Sequence, residues 1–186
     1  MRTAFVIFDR MTALDFVGVY DPLTRLRSMN LLPAFEWQIC SFTEEVADDR
    51  GLRFSPDLVG GSLGEYDLIV VPGGFGTRAL QHNEAFLDWL RSAEPVKLKT
   101  SVCTGTLLLG AAGFLQGKRA TTHPNAYEAL APYCGRIVNE RVVDEGDVIT
   151  ARGVTAAIDL GLYLVEWLAG YEARKRIAKQ MDYPWP

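Results

Sequence analysis

Short apolar runs rich in β-branched residues alternate with segments of helical spacing along this chain of 186 residues. The predicted strands are Thr3–Phe8, Glu36–Phe42, Asp67–Val71, Lys99–Val102 and Arg119–Thr122. The predicted helices are Asp15–Met29, Asn83–Ser92, Thr104–Ala112, Asn125–Ala131, Val154–Ala169 and Tyr171–Met181. Arg141–Ala151 is a predicted hairpin, and Arg50–Leu58 is either a small hairpin or an irregular strand. Buried strands that alternate with helices form a mostly parallel sheet with helices on both faces. We therefore predict an α/β fold, a three-layer α/β/α sandwich, as a single domain over residues 1–186.

The charge and the cysteine count exclude several classes of protein. A net charge of -4 and a pI of about 5.2 argue against nucleic acid as the main partner. Cys40, Cys103 and Cys134 are odd in number and far apart, so we expect neither a disulfide framework nor a metal site. The first residues lack a secretory signal, and no apolar run is long enough to cross a membrane. We expect a cytoplasmic protein.

Cys103 lies where a strand passes directly into a helix. Lys99–Val102 is followed at once by Cys103, and the next segment, Thr104–Ala112, is almost wholly apolar and so predicts a buried helix. A nucleophile at such a strand-to-helix turn is exposed above the sheet, often with strained backbone angles. The helix N-terminus should also lower the pKa of the thiol below its usual value of about 8.5. A buried, inert cysteine is the alternative interpretation, and spacing alone does not separate the two.

Two other predicted strands are followed by candidate site residues, two glycines in one case and a histidine in the other. In an open α/β sheet the binding crevice lies outside the carboxyl ends of the strands, so these residues should meet Cys103 there. Gly73 and Gly74 follow Asp67–Val71, and the Gly74 N–H together with the Thr104 N–H is expected to stabilise an anion. A plain strand-to-helix turn that needs glycine is the alternative. His123 follows the strand Arg119–Thr122 and either activates the thiol or packs against the turn.

Asp15 is the candidate acid. It stands between Leu14 and Phe16 shortly after the first strand, which predicts partial burial. Near a thiolate one of the two acidic groups would keep the proton, so Asp15 could donate a hydrogen bond to sulfur and later pass protons. The alternative is a helix N-cap.

These motifs together resemble a known superfamily. The segments that carry the resemblance are Leu14-Asp15-Phe16, Val71–Gly74, Ser101–Gly105, Leu109–Gly113 and Leu115–His123. They resemble the ThiJ/PfpI superfamily, whose fold is flavodoxin-like and of the class I glutamine amidotransferase type. Within it the chain looks most like the isonitrile (isocyanide) hydratases, because its acid lies in a Leu-Asp turn and Thr104 follows the cysteine. After His123 it has Pro124-Asn125, where those hydratases more often have Trp, which predicts a different pocket shape.

The resemblance implies a function and a set of roles. Cys103 would be the nucleophile, assisted by Asp15 and Thr104, while Gly73, Gly74 and His123 would bind the substrate. The reaction would convert an isocyanide to an N-substituted formamide through a thioimidate on Cys103. It implies a homodimer that acts on a small molecule and needs no metal or organic cofactor. From the residues, the apolar helix after Cys103 and the aromatic carboxyl-terminal segment would suit the subunit contact.

Two alternative functions share the same cysteine. One is a glyoxalase or deglycase. The other is a redox-sensing or ligand-binding protein related to the amino-terminal domain of AraC-type regulators, since an exposed thiol of low pKa is also the first to be oxidised. The regulator interpretation lacks its DNA-binding region in this sequence, which ends at residue 186.

Overall fold

The structure of the protein is a computed structural model that describes residues 1–184. The strands are β1 (Arg2–Ile7), β2 (Glu36–Ser41), β3 (Val46–Ala47), β4 (Arg53–Phe54), β5 (Leu58–Val59), β6 (Leu68–Val71), β7 (Leu98–Val102), β8 (Arg119–Ala120), β9 (Arg136–Ile137), β10 (Val142–Asp144) and β11 (Val148–Ala151). The helices are α1 (Ala13–Ser28), α2 (Thr77–Leu80), α3 (Glu84–Arg91), α4 (Gly105–Ala111), α5 (Tyr127–Leu130), α6 (Ala156–Ala169) and α7 (Tyr171–Gln180).

The central sheet has the order β10-β11-β7-β6-β1-β2-β5. All neighbours pair in parallel except β10 and β11, which form the predicted antiparallel hairpin. The chain leaves β1 towards β2 on one side and later returns to β6 on the other side. The predicted mostly parallel sheet is therefore confirmed, and the order of its strands reverses between β1 and β6.

Helices cover the sheet in two groups, as expected for three layers. Helices α1, α6 and α7 contact one another, whereas α4 contacts α2, α3 and α5. The β1, β6 and β7 strands between them are almost entirely buried. Among residues 1–184 no helix combines the length and hydropathy needed to cross a bilayer.

Two predictions about elements need correction. The chain itself covers α4, whose residues Gly105 to Gly110 are buried, so this helix cannot be the subunit contact suggested by its apolar sequence. The strand predicted at Arg119–Thr122 is shorter, and as β8 it pairs with β9 outside the central sheet. Thr121 and Thr122 leave the strand because their hydrogen bonds go elsewhere. The Thr121 N–H donates to Thr150 Oγ1 at 3.0 Å and the Thr122 hydroxyl donates to the Cys103 carbonyl at 2.7 Å.

Helix α1 lies unusually close to α6, and glycines on both helices make this possible. A Cβ atom built at Gly18 would lie 2.6 Å from the Ala157 Cβ, and one at Gly161 would lie 2.7 Å from the Pro22 Cγ. Because α1 begins two residues before Asp15, this packing also sets where that carboxyl group lies relative to the sheet.

We expect Gly18→Val to destabilise the fold by about 1–3 kcal/mol, because a side chain there must push α1 away from Ala157. The free energy of unfolding from urea denaturation measures this. Ala85→Val, on the exposed face of α3, is the control and should change stability by less than about 0.5 kcal/mol. Equal effects of the two substitutions would contradict the importance of the α1–α6 contact.

Candidate active site

The candidate site lies at the reversal point of the sheet. Asp15 follows β1, Gly73 and Gly74 follow β6, and Cys103 follows β7, so the carboxyl ends of three adjacent strands supply it. This is where open α/β sheets bind their ligands. The expectation that these residues meet in one crevice is confirmed.

Cys103 is held in a strained turn. Its φ angle is 54°, in the left-handed region that residues with a side chain rarely adopt. Its N–H donates to the Ala151 carbonyl at 3.0 Å, and its carbonyl accepts the Thr122 hydroxyl at 2.7 Å. The strain predicted for a nucleophile at this turn is present, and the hydrogen bonds from two neighbouring segments keep the backbone in place.

Asp15 is fully buried beside this turn. The Gly73 N–H donates to its Oδ2 atom at 3.0 Å, while Oδ1 is buried with no hydrogen-bond partner among residues 1–184. The N-cap position of α1 is occupied by Thr12, so the interpretation of Asp15 as an N-cap is wrong. Its side chain points away from the helix end towards the turn after β6.

Burial and mutual repulsion set the acidity of the pair. Burial raises the pKa of Asp15 to about 7, against the lowering effects of the Gly73 N–H and the Cys103 thiol. Burial and the negative charge of Asp15 raise the pKa of Cys103 to about 12, although the N–H and hydroxyl of Thr104 act in the opposite direction. The prediction that the pKa of the Cys103 thiol is lowered is therefore wrong. It considers only the helix N-terminus, which stabilises the thiolate, and not the cost of removing the thiolate from water.

One proton is consequently shared by Asp15 and Cys103 at neutral pH. The first proton leaves the pair near pH 7 and the second near pH 12, and these values describe the coupled pair more than either residue. Transfer of the remaining proton from sulfur to carboxylate gives a thiolate next to a carboxylic acid. That form holds a nucleophile and a proton donor side by side without adding charge to the buried site.

The glycines after β6 act differently from each other. A Cβ atom at Gly73 would lie 2.7 Å from the Cys103 Cβ and 2.9 Å from Asp15 Oδ2, so only glycine lets these two groups approach. The Gly74 N–H donates to Thr104 Oγ1 at 3.0 Å and is not free to stabilise an anion. The prediction that the N–H groups of Gly74 and Thr104 together stabilise an anion is thus wrong for Gly74. Gly74 nevertheless lines the cavity.

His123 lies in the cavity wall but is not paired with the thiol. Its Nδ1 atom accepts the Asn125 N–H at 3.2 Å and caps a short 3-10 turn. Among the described residues no hydrogen bond joins it to Cys103, although both lie against Gly153. Of the two roles considered for His123, the geometry favours packing over activation of the thiol.

A cavity of about 540 Å³ opens above Cys103. Its walls are formed by Thr12, Leu14, Asp49, Arg50, Gly74, Phe75, Arg78, Thr104, His123, Asn125, Ala126 and Val154. The sequence pointed to Asn125 through its departure from the hydratase pattern. It gave no signal for Arg50, Phe75 or Arg78, because the loops that carry them reach the cavity only through the folded sheet.

The other cysteines are remote from this cavity. Cys40 is fully buried and its thiol contacts the Tyr66 hydroxyl at 3.3 Å, and Cys134 is partly covered by its surroundings. All three cysteines are free thiols. Within residues 1–184 no cluster of three or more His, Cys, Asp or Glu side chains is arranged to hold a metal ion.

Known proteins are similar to this chain in sequence and in fold. A model of the DJ-1/PfpI family matches residues 1–167. An isonitrile hydratase of Pseudomonas putida is 38% identical over 185 residues, which is 98% of this chain and 78% of that protein. The crystal structure of a ThiJ/PfpI family protein from Pseudomonas syringae superimposes with a TM-score of 0.89 at 30% identity, over 100% of this chain and 76% of that one.

A transcription regulator is also similar to the chain. The HTH-type transcriptional regulator CdhR of Pseudomonas aeruginosa is 28% identical over 181 residues. The match covers 95% of this chain but 53% of that protein. This chain therefore corresponds to about half of the regulator.

We expect Asp15→Asn to make Cys103 more acidic, because it removes the negative charge and the carboxylate that raise the thiol pKa. The pH midpoint for alkylation of Cys103 by iodoacetamide should move down from about 12, and each unit of that shift increases the rate at pH 8 about tenfold. Mass spectrometry of the Cys103 peptide follows the reaction.

Glu44→Gln is the matched control for this measurement. It removes an exposed carboxylate that contributes to neither the Asp15 nor the Cys103 shift, so its midpoint should stay close to that of the wild type. A midpoint unchanged in Asp15→Asn, or a wild-type midpoint below 9, would contradict the described pair.

Proposed function

This chain belongs to the DJ-1/PfpI family, and we propose that it hydrates an isocyanide to an N-substituted formamide with Cys103 as the nucleophile. The observation that carries the proposal is the buried Asp15 carboxyl group beside the strained Cys103 turn, with a pKa of about 7. A carboxyl group with this pKa can take up a proton from Cys103 and return it at neutral pH. The similarity to an isonitrile hydratase over almost the whole chain supports the same reaction.

The first step joins sulfur to the isocyanide carbon. Cys103 passes its proton to Asp15, and the thiolate attacks the terminal carbon of R–N≡C. Asp15 returns the proton to that carbon, which gives the thioimidate Cys103–S–CH=N–R and leaves Asp15 as a carboxylate. Because the pair carries one negative charge before and after the step, no second anion is created in the buried site.

The second step releases the product with one water molecule. Asp15, now a carboxylate, takes a proton from the water as the water oxygen adds to the thioimidate carbon, and passes that proton to the nitrogen. The tetrahedral carbon then expels the sulfur while its hydroxyl proton passes through Asp15 to Cys103, which restores the thiol and releases R–NH–CHO. Covalent catalysis of this kind divides one difficult addition into two easier ones.

Thr104 and Gly73 prepare the two reacting groups. The N–H and hydroxyl of Thr104 lower the pKa of Cys103 and so stabilise the thiolate. The Gly73 N–H holds Asp15 through Oδ2, which leaves Oδ1 without a partner among the described residues.

We also propose that the chain forms a homodimer through α1. Leu14 and Val17 lie three residues apart on this helix, and each is more than 40% exposed, at 43% and 42%. Trp167 and Tyr171, where α6 meets α7, are 50% and 53% exposed. Exposed apolar side chains at helical spacing are typical of a subunit contact.

Turnover of an aromatic isocyanide tests the proposed reaction, and absorbance follows the formamide as it forms. The wild type should produce formamide, Cys103→Ala should lose all activity, and Asp15→Asn should lose about 10²–10⁴-fold in kcat because the acid is gone. Asp15→Asn should do so even though its thiol is the more readily alkylated, which separates proton donation from nucleophilicity. Full activity in Cys103→Ala would refute the mechanism.

The alternative functions give different results in the same preparations. Lactate from methylglyoxal without formamide from any isocyanide would favour the glyoxalase interpretation. Neither product, with Cys103 converted to sulfinic acid by peroxide, would favour a redox sensor.

Light scattering tests the dimer. Val17→Glu should reduce the measured mass from that of two chains to that of one, because it places a charge in the proposed contact. Val59→Glu, which changes an apolar side chain that is 42% exposed on the edge strand β5, should leave the mass unchanged. A wild-type mass of 20.6 kDa would contradict the proposed dimer.

A further inference from the structure

The mouth of the cavity above Cys103 carries a positive charge that the proposed chemistry does not use. Arg78, on α2, lines the cavity, and its guanidinium lies over the Phe75 ring at 4.9 Å from the centroid. Its side chain is exposed and forms no ion pair with any acidic side chain of residues 1–184. The Arg78 charge is therefore available to a ligand.

The second arginine of the cavity is already compensated. Arg50 Nη1 lies 2.8 Å from Asp49 Oδ1, and both residues line the same cavity. Their loop is fixed because Asp48 Oδ1 accepts the Arg50 N–H at 2.9 Å and the Leu52 N–H at 2.8 Å. With Asp49 cancelling Arg50, the wall around the cavity keeps one net positive charge, which belongs to Arg78.

Arg78 is placed by the same turn that holds the reacting groups. The Thr77 hydroxyl donates to the Gly74 carbonyl at 2.8 Å, and the Gly74 N–H donates to Thr104 Oγ1 at 3.0 Å. Helix α2 is thus tied through Gly74 to the residue that follows Cys103. The wall that Phe75 contributes is apolar, and Phe75 is 52% exposed. A ligand here meets an apolar surface and, at its edge, a cation.

We propose that the substrate is an isocyanide that carries a carboxylate at the end opposite the isocyano group. The apolar body would lie against Phe75 and Val154, the isocyanide carbon would reach Cys103, and the carboxylate would bind the Arg78 guanidinium. Arginine suits this role because its planar N–H groups match a carboxylate. A cavity of about 540 Å³ accommodates an aryl ring with both groups. The chemistry of this inference rests on the proposed function.

A matched pair of substrates tests the preference for an anion. We would compare 4-isocyanobenzoate with its methyl ester in the wild type and in Arg78→Gln. The ratio of kcat/KM for the acid to that for the ester should fall about three- to tenfold in Arg78→Gln, mainly through KM for the acid. Because Arg78 is exposed, 0.5 M NaCl should also reduce the wild-type ratio.

Arg176→Gln is the charge-matched control. Arg176 lies on the exposed side of α7 and does not line the cavity, so removing its charge should leave the ratio as in the wild type. The same ratio in the wild type and in Arg78→Gln would overturn the inference. A fall of equal size in Arg176→Gln would also overturn it, since net charge would then explain the preference.

A second measurement separates this inference from the proposed function. 4-(Iodoacetamido)benzoate and its methyl ester alkylate Cys103 with and without a carboxylate at the far end of an aryl ring, and neither requires hydratase turnover. The rate ratio of the acid to the ester at the Cys103 peptide should be about three- to tenfold lower in Arg78→Gln than in the wild type. If no isocyanide is hydrated, the proposed function fails, and this ratio still decides whether Arg78 recruits an anion to Cys103.

Discussion

The shared proton of Asp15 and Cys103 is the constraint on which the rest of the site depends. Two negative charges in direct contact and out of water are too costly to coexist, so the pair holds a single negative charge over a wide pH range. Both groups must be buried for this to hold, and they must also be adjacent. The fold satisfies these conditions with residues that follow different strands, since Asp15 belongs to the connection after β1 and Cys103 to the end of β7.

Close backbone packing makes that contact possible. Gly18 allows α1 to lie against α6, and Gly73 allows the Asp15 carboxyl group to reach the sulfur without an intervening side chain. The strained Cys103 backbone is in turn held by Ala151 and Thr122, which lie far along the chain. The cost of the strained turn, of order 1–3 kcal/mol, is therefore offset by hydrogen bonds from two other segments.

The sequence predicts the features that depend on neighbouring residues along the chain. It does not predict the features that depend on contacts between distant segments. The strand, the turn at Cys103 and the buried helix after it are local patterns, and the structure confirms them together with the mostly parallel sheet. The sequence predicts the thiol pKa in the wrong direction, because desolvation depends on which groups cover the sulfur. It also misassigns the Gly74 N–H, because the Thr104 hydroxyl that accepts this N–H comes from another strand end. Arg78 carries no local signal at all.

Burial separates the chemistry of the site from its selection of a substrate. The Asp15–Cys103 pair lies in a region of low effective dielectric, where charge interactions are strong and salt has little effect. Arg78 lies at the exposed edge, where water and salt weaken every interaction it makes. A change at Arg78 therefore alters which molecules are attracted and leaves the proton of the buried pair in place. In the proposed reaction, Cys103 would then serve different substrates when only the residues at the mouth of the cavity change.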